Sequence, residues 1–301
     1  MRQRPATRRK RAVAAVSAAL AALLTAASLT ACDAPSPHET RPGPATSRPA
    51  PTPTPVWDGT PASVAAVGDS ITRGFDACMV LADCPEVSWA TGSDASVDSV
   101  ALRLLGPARV ATHSWNHAVS GADASDLPGQ MAKAAAHRPG LVTVMVGAND
   151  ACADSLDRMT PVDSFRESVE TAMEVLREEA PKTQVYVSSV PDLKRLWATG
   201  RDDALGSRIW QLGICATMLG DAHDDGPAAE RRRDTVHQRV IAYNEVLEDV
   251  CAEDDRCRWD DGDVFGFRFT ETQLSRWDWF HPSKDGQRRL ADIAYRHITA
   301  P

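Results

Sequence analysis

Three short runs in the chain carry the residue types of acyl-transfer chemistry. Gly68-Asp69-Ser70-Ile71-Thr72 offers a hydroxyl, Asp278-Trp279-Phe280-His281 a carboxylate and an imidazole three residues apart, and Gly147-Ala148-Asn149-Asp150 a side-chain amide. A serine hydroxyl is a poor nucleophile until an imidazole can take its proton, and the imidazole needs a carboxylate to fix its tautomer and stabilise its charged form. Asp278 and His281 are close enough for one turn to bring them together, with the second ring nitrogen left to face Ser70. Each run alone is an ordinary turn sequence. Their order and spacing give them joint meaning.

These groups need a scaffold that brings them to one edge. Ser63–Val67 reads as a buried strand ending at Gly68, and Leu141–Val146, which runs directly into Gly147, as the strongest strand in the chain. A weaker strand is expected at Ala108–Thr112 after a helix at Val97–Leu105, and a further strand at Gln184–Ser188. Helices are expected at Asp126–His137, Pro161–Glu179, Thr235–Val250 and Gly286–Ile298; Phe165, Val169, Met173 and Leu176 share one face of the second. Strands alternating with helices predict an α/β fold, a mainly parallel sheet covered on both faces. Ligands bind such sheets at the carboxyl ends of the strands, where Ser70 and Asn149 would meet.

These residues resemble the SGNH or GDSL serine esterases, over essentially all of residues 62–300. The resemblance is carried by four blocks in order: Gly68-Asp69-Ser70, Asn116-His117-Ala118-Val119-Ser120-Gly121, Gly147-Ala148-Asn149-Asp150 and Asp278 through His281. It implies a three-layer α/β/α sandwich with Ser70, His281 and Asp278 as triad. An oxyanion hole is implied at the N–H groups of Ser70 and Gly121 and the amide of Asn149. Ser88-Trp89-Ala90-Thr91-Gly92-Ser93-Asp94 and Ser120 through Pro128 are similar to stretches of the phospholipase B-like branch, departing from its pattern at Ala90 and Ser93. On that likeness the substrate is expected to be a lipid or fatty-acyl ester; a carbohydrate O-acetyl ester and a binding protein on a hydrolase fold are the alternatives. No cofactor and no metal are required. Asp69 and Asp150 are expected to hydrogen-bond loops, and His113, His117 and His223 to lie on loops or at the surface. Trp279 and Phe280 are expected to line the substrate, although packing around the final loop is equally open to them.

Composition bounds the partners and the compartment. Arg2, Arg4, Arg8, Arg9, Lys10 and Arg11 precede an uncharged stretch from Ala12 to Leu29, and Leu29-Thr30-Ala31-Cys32 resembles the cleavage box of bacterial lipoproteins. Residues 1–31 are thus expected to be an export signal, with Cys32 the lipid anchor. Residues 32–60, rich in Pro, Thr and Ser, would form an extended spacer, and 61–301 the hydrolase domain. Without residues 1–31 the formal charge is −14, from 27 Lys plus Arg against 41 Asp plus Glu. That excess argues against nucleic acid as a partner. Arg231-Arg232-Arg233, the one basic run of the domain, reads as a solvated helix face. The expected partners are an ester substrate and, through Cys32, the outer face of the cytoplasmic membrane; a monomer is expected.

Six further cysteines, an even number in an oxidising compartment, predict three disulfides. The short separations of Cys78/Cys84 and of Cys251/Cys257 leave Cys152 for Cys215.

Overall fold

The computed structural model describes residues 57–301, so the export signal, Cys32 and most of the spacer lie outside the described residues. Trp57 and Asp58, expected in the spacer, are already docked on the domain. The indole N–H of Trp57 donates to the Ile298 carbonyl at 2.7 Å, Arg258 stacks over its ring, and the Asp58 N–H donates to Gln184 Oε1. A large aromatic with its polar edge satisfied is stable against the domain.

In chain order the first elements are β1 (Val64–Gly68), α1 (Ser70–Arg73), α2 (Val100–Leu105), α3 (Pro107–His113), β2 (Ser114–Asn116), α4 (Leu127–Ala135), β3 (Leu141–Met145), α5 (Ala148–Ala151) and α6 (Val162–Glu179). There follow β4 (Gln184–Val187), α7 (Leu193–Gly200), α8 (Ala204–Trp210), α9 (Ala216–Leu219), α10 (Pro227–Ala252), β5 (Cys257–Trp259), α11 (Asp263–Gly266) and α12 (Lys284–Thr299). The five strands are all parallel, in the order β2-β1-β3-β4-β5. Helices cover both faces, giving the three-layer α/β/α sandwich. Every residue of β1, β3 and β4 is buried, as parallel strands covered on both sides must be. On α6, Phe165, Val169, Ala172, Met173 and Leu176 form the buried stripe.

The segment expected to be a strand at Ala108–Thr112 is instead the helix α3. Pro107 opens it, with Gly106 at a φ of 74° turning the chain just before. Only Val110 of its seven residues is buried, so a five-residue run with one core contact carried no usable periodicity. The edge strand β2 follows at once. The arginine run also departs from expectation: α10 begins at Pro227, and Arg233 is buried. Its guanidinium lies 4.0 Å from the centroid of Trp197 and donates to the Asp224 carbonyl. Arg232 is partly buried and bonds the carbonyls of Thr217 and Gly220, which leaves Arg231 as the solvated member.

The three disulfides pair as expected, Cys78–Cys84, Cys152–Cys215 and Cys251–Cys257. Among the described residues, no helix is long and apolar enough to cross a membrane.

Candidate active site

The register of the sheet sets the site. Gly68 pairs with Met145, so β1 and β3 end side by side and the chain segments after them emerge together. Gly68 has a φ of 140°, and a Cβ there would meet the Met145 carbonyl oxygen at 2.0 Å; only glycine allows the strands this contact. The side chain of Gln130 holds the same residue from α4, accepting from its N–H at 2.7 Å and donating to its carbonyl at 3.0 Å.

Ser70 begins the one-turn helix α1. Asp69 caps it, its Oδ1 accepting from the Ile71 N–H at 2.9 Å. From the other side of the domain, Gln287 on α12 accepts from the Trp89 N–H at 2.9 Å and donates to the Ile71 carbonyl at 2.8 Å. Asn116 donates to the Thr72 carbonyl and to the hydroxyl of Thr91. The Ser88–Asp94 stretch and the Asn116 block therefore brace the serine turn from below.

Ser70 Oγ lies 2.9 Å from His281 Nε2, and His281 Nδ1 lies 2.5 Å from Asp278 Oδ2. The second oxygen of Asp278 accepts from the N–H groups of Phe280 and His281 at 2.9 and 3.0 Å. Trp210 fixes the same turn from α8, its indole N–H donating to the Asp278 carbonyl at 2.7 Å. All three side chains are buried. Burial opposes a charged imidazole, but the charge and hydrogen bond of Asp278 outweigh it and raise the His281 pKa, with Asp69 and Asp76 adding to the effect. Burial likewise opposes a charged Asp278, yet His281 and the two backbone N–H groups hold its carboxyl below the usual range. This is the polarity a general base needs.

Gly121, Asn149 and Ser120 line one cavity of about 270 Å³ with Ser70 and His281. Gly121 takes a φ of 86°, and its N–H has no protein acceptor among the described residues. Asn149 lies in α5 just after Gly147, whose φ is 125° and whose missing Cβ makes room for Val190. One hydrogen of the Asn149 amide goes to the Ala122 carbonyl at 2.8 Å, which orients the group and leaves the other free. Asp150 ties the two loops, both of its carboxyl oxygens accepting from the Ala124 N–H. Burial raises its pKa to about 6, partly offset by Thr160 and that N–H. Asp69 and Asp150 thus do the loop bonding expected of them. Burial also lifts Asp69 to about 7, and its Oδ2 finds no partner among the described residues.

The rest of the wall is apolar: Phe75, Ile214, Phe280 and the Cys152–Cys215 bridge. Phe280 lies on this wall. Trp279 does not. At a φ of 53° it turns away from Ser70, packs beneath Gly206 of α8 and lines a separate cavity with Asp76 and Trp277. Neighbouring residues in a tight turn point opposite ways, so the two aromatics could not share one wall. Phe75, Gly213, Ile214, Gln130 and Gln287 were not singled out from sequence. A Phe five residues after the serine was the one available signal.

A triad on the carboxyl edge of a parallel α/β/α sheet defines a serine hydrolase. The GDSL-like lipase/acylhydrolase family model matches residues 64–294, and the chain belongs to that family. It is 27% identical over 169 residues to the membrane-associated phospholipase B1 of Rattus norvegicus, a match spanning 44% of this chain and 12% of that much longer protein. A structure from Parabacteroides merdae ATCC 43184, described as a GDSL-like lipase, superposes with a TM-score of 0.50 at 17% identity, over 81% of this chain and 99% of the other. That likeness concerns the fold.

Proposed function

We propose that the protein is an extracytoplasmic esterase that hydrolyses lipid or fatty-acyl esters. The observation that carries the substrate class is the apolar wall of Phe75, Ile214 and Phe280 facing Ser70. The partial likeness to a phospholipase B supports the same reading.

The reaction follows from the geometry. Ser70 Oγ attacks the ester carbonyl as its proton passes to His281 Nε2, and Asp278 stabilises the imidazolium. The carbonyl oxygen becomes an oxyanion, held by the N–H groups of Ser70 and Gly121 and the free amide hydrogen of Asn149. Collapse of the intermediate breaks the ester C–O bond, and His281 returns the proton to the leaving alcohol. Water, deprotonated by His281, then attacks the acyl-enzyme; the acid leaves and Ser70 regains its proton.

Export, a lipid on Cys32 and a Pro-rich stalk would hold the acidic domain at the outer face of the cytoplasmic membrane. The two acyl chains of a diacylglycerol suffice for stable anchoring. The three disulfides fit an oxidising compartment.

A p-nitrophenyl ester series from acetyl to palmitoyl tests the substrate class. Rates rising beyond butanoyl are expected. Rates that peak at acetyl and vanish by octanoyl would replace this reading with a carbohydrate O-deacetylase.

A further inference from the structure

Behind the triad lies a second buried carboxyl. Asp76 is 2% exposed and Asp278 1%, and a carboxyl oxygen of each, with a ring nitrogen of His281, all lie within 4.8 Å of one another. Asp76 does not line the cavity of Ser70. It borders the cavity on the far side of the triad loop.

The chain holds Asp76 there by several independent bonds. Its N–H donates to the Ala82 carbonyl at 3.0 Å, its Oδ1 accepts from the Leu81 N–H, and its carbonyl accepts from Ser275 Oγ at 2.7 Å. Ser275 in turn accepts through its own carbonyl from the Trp279 N–H and donates its N–H to the His281 carbonyl. The Cys78–Cys84 bridge closes the loop that contains Leu81 and Ala82. Asp76 also takes a φ of 55°, a conformation that aspartate tolerates better than most residues but that is still uncommon. A surface turn would need none of this.

Two carboxyls this close, both out of water, repel each other when both are charged, so one holds its proton to higher pH than an ordinary carboxyl. We propose that Asp76 is a positioning residue that shares a proton with Asp278, and that its ionisation places a second negative charge behind His281 and strengthens the imidazole as a base. The division of roles follows from the bonds. Asp278 receives two backbone N–H groups and the imidazole, all favouring its charged form, whereas Asp76 receives one backbone N–H. The proton therefore resides on Asp76. Burial, then the charge of Asp278, raises the pKa of Asp76 to about 6.

Other charges near the pair belong to its surroundings. Asp69 faces His281 from the serine turn. Glu271, Arg276, Lys284 and Asp285 border the cavity of Asp76, with Lys284 already paired to Asp94 at 2.9 Å. The inference rests on the Ser70–His281 assignment but not on the substrate class.

The test is the pH profile of kcat/KM for Asp76→Asn against wild type, on whichever p-nitrophenyl ester wild type turns over best. Loss of the second charge should move the acid limb, which reports His281, to lower pH by about half a unit or more. The plateau kcat should fall several-fold with KM unchanged, since Asp76 does not touch substrate. A uniform loss of rate with the limb unmoved would mean that Asp76 only braces the loop, and would overturn the inference while leaving the esterase reading intact. If Asp76→Asn does not fold, the low-field Nδ1 proton resonance of His281 in the wild type decides. It should shift with a midpoint near that of Asp76 before the ring itself titrates; a single transition would overturn the inference. Wild type inert toward every ester would instead remove the triad assignment on which it stands.

Discussion

At the scale of single residues, the site divides into groups that act on substrate and groups that hold them. Asn149 has one amide hydrogen committed to the Ala122 carbonyl and one available to the oxyanion. Asn149→Ala should therefore lower kcat by about 10²- to 10³-fold with little change in KM, the scale for loss of one oxyanion donor. Steady-state kinetics with a p-nitrophenyl ester check this; a loss confined to KM would assign Asn149 to substrate binding.

The buried carboxyls also make a statement about stability. Asp69 is raised to about 7, and Asp76 and Asp150 to about 6, against an ordinary aspartate near 3.8. Between those limits the folded state holds protons that the unfolded chain has lost, so stability falls as pH rises through the window. His281, with its pKa also raised, contributes in the same direction near neutrality, whereas the lowered Asp278 works the other way at the acid end. A shift of one unit corresponds to about 1.4 kcal/mol. The melting temperature should thus decline from about pH 5 to 8, and Asp69→Asn should flatten that decline. Melting curves across this range settle it, and a temperature that rises to pH 8 would refute the account.

These residue-level features differ in how far the chain alone revealed them. Ser70, His281, Asp278, Gly121 and Asn149 stand in local runs whose chemistry can be read without the fold. Asp76 and Gln287 cannot be read that way: each acquires its role from a partner near the other end of the chain, Asp278 for one and Ile71 for the other. Trp279 takes the packing role in the final loop while its neighbour Phe280 lines the cavity of Ser70, and only the turn geometry separates them.

Among the elements, what was legible tracks burial. β1, β3 and β4 are wholly buried and show as mainly apolar runs, and α6 shows its stripe. β2 and β5 are three residues each and half-buried, too short to make a pattern, and α3, with one buried residue in seven, shows no helical periodicity. Arg233 looked solvated because its burial depends on Trp197, brought to it from another helix.

The bridge between Cys152 and Cys215 joins the end of α5 to the segment entering α9, and it lines the cavity of Ser70. It closes a separation of 63 residues, for which chain entropy gives about 4 kcal/mol, against about 2 kcal/mol for the two six-residue closures. Replacing both Cys152 and Cys215 by Ser should lower the melting temperature by about 10 °C. It should also reduce kcat, because Asn149 lies three residues before Cys152. Scanning calorimetry with matched kinetics checks both. A double variant with wild-type kcat would mean that the bridge serves stability alone.

For the whole molecule, the sheet supplies the logic that joins distant segments. The serine turn follows β1, the amide turn follows β3, and the acid and base arrive from the turn before α12, all at one edge. The net acidity of the chain opposes attraction to an anionic membrane, so an anchor at Cys32 would have to supply the affinity. Cys32→Ser should move the protein from detergent-extracted membranes to the medium, or block its processing, as seen by fractionation and immunoblot. A wild-type protein found entirely in the medium and beginning downstream of Cys32 would remove the tether and leave the catalytic assignment standing.

In the proposed reaction Ser70 is a nucleophile activated by His281 and Asp278. A fluorophosphonate probe reports this directly, since it forms a stable covalent adduct only with an activated serine. Intact mass and peptide mapping of the labelled protein should place one adduct on Ser70, with none formed by a folded Ser70→Ala variant. An unlabelled wild type, or equal labelling of the variant, would contradict the account.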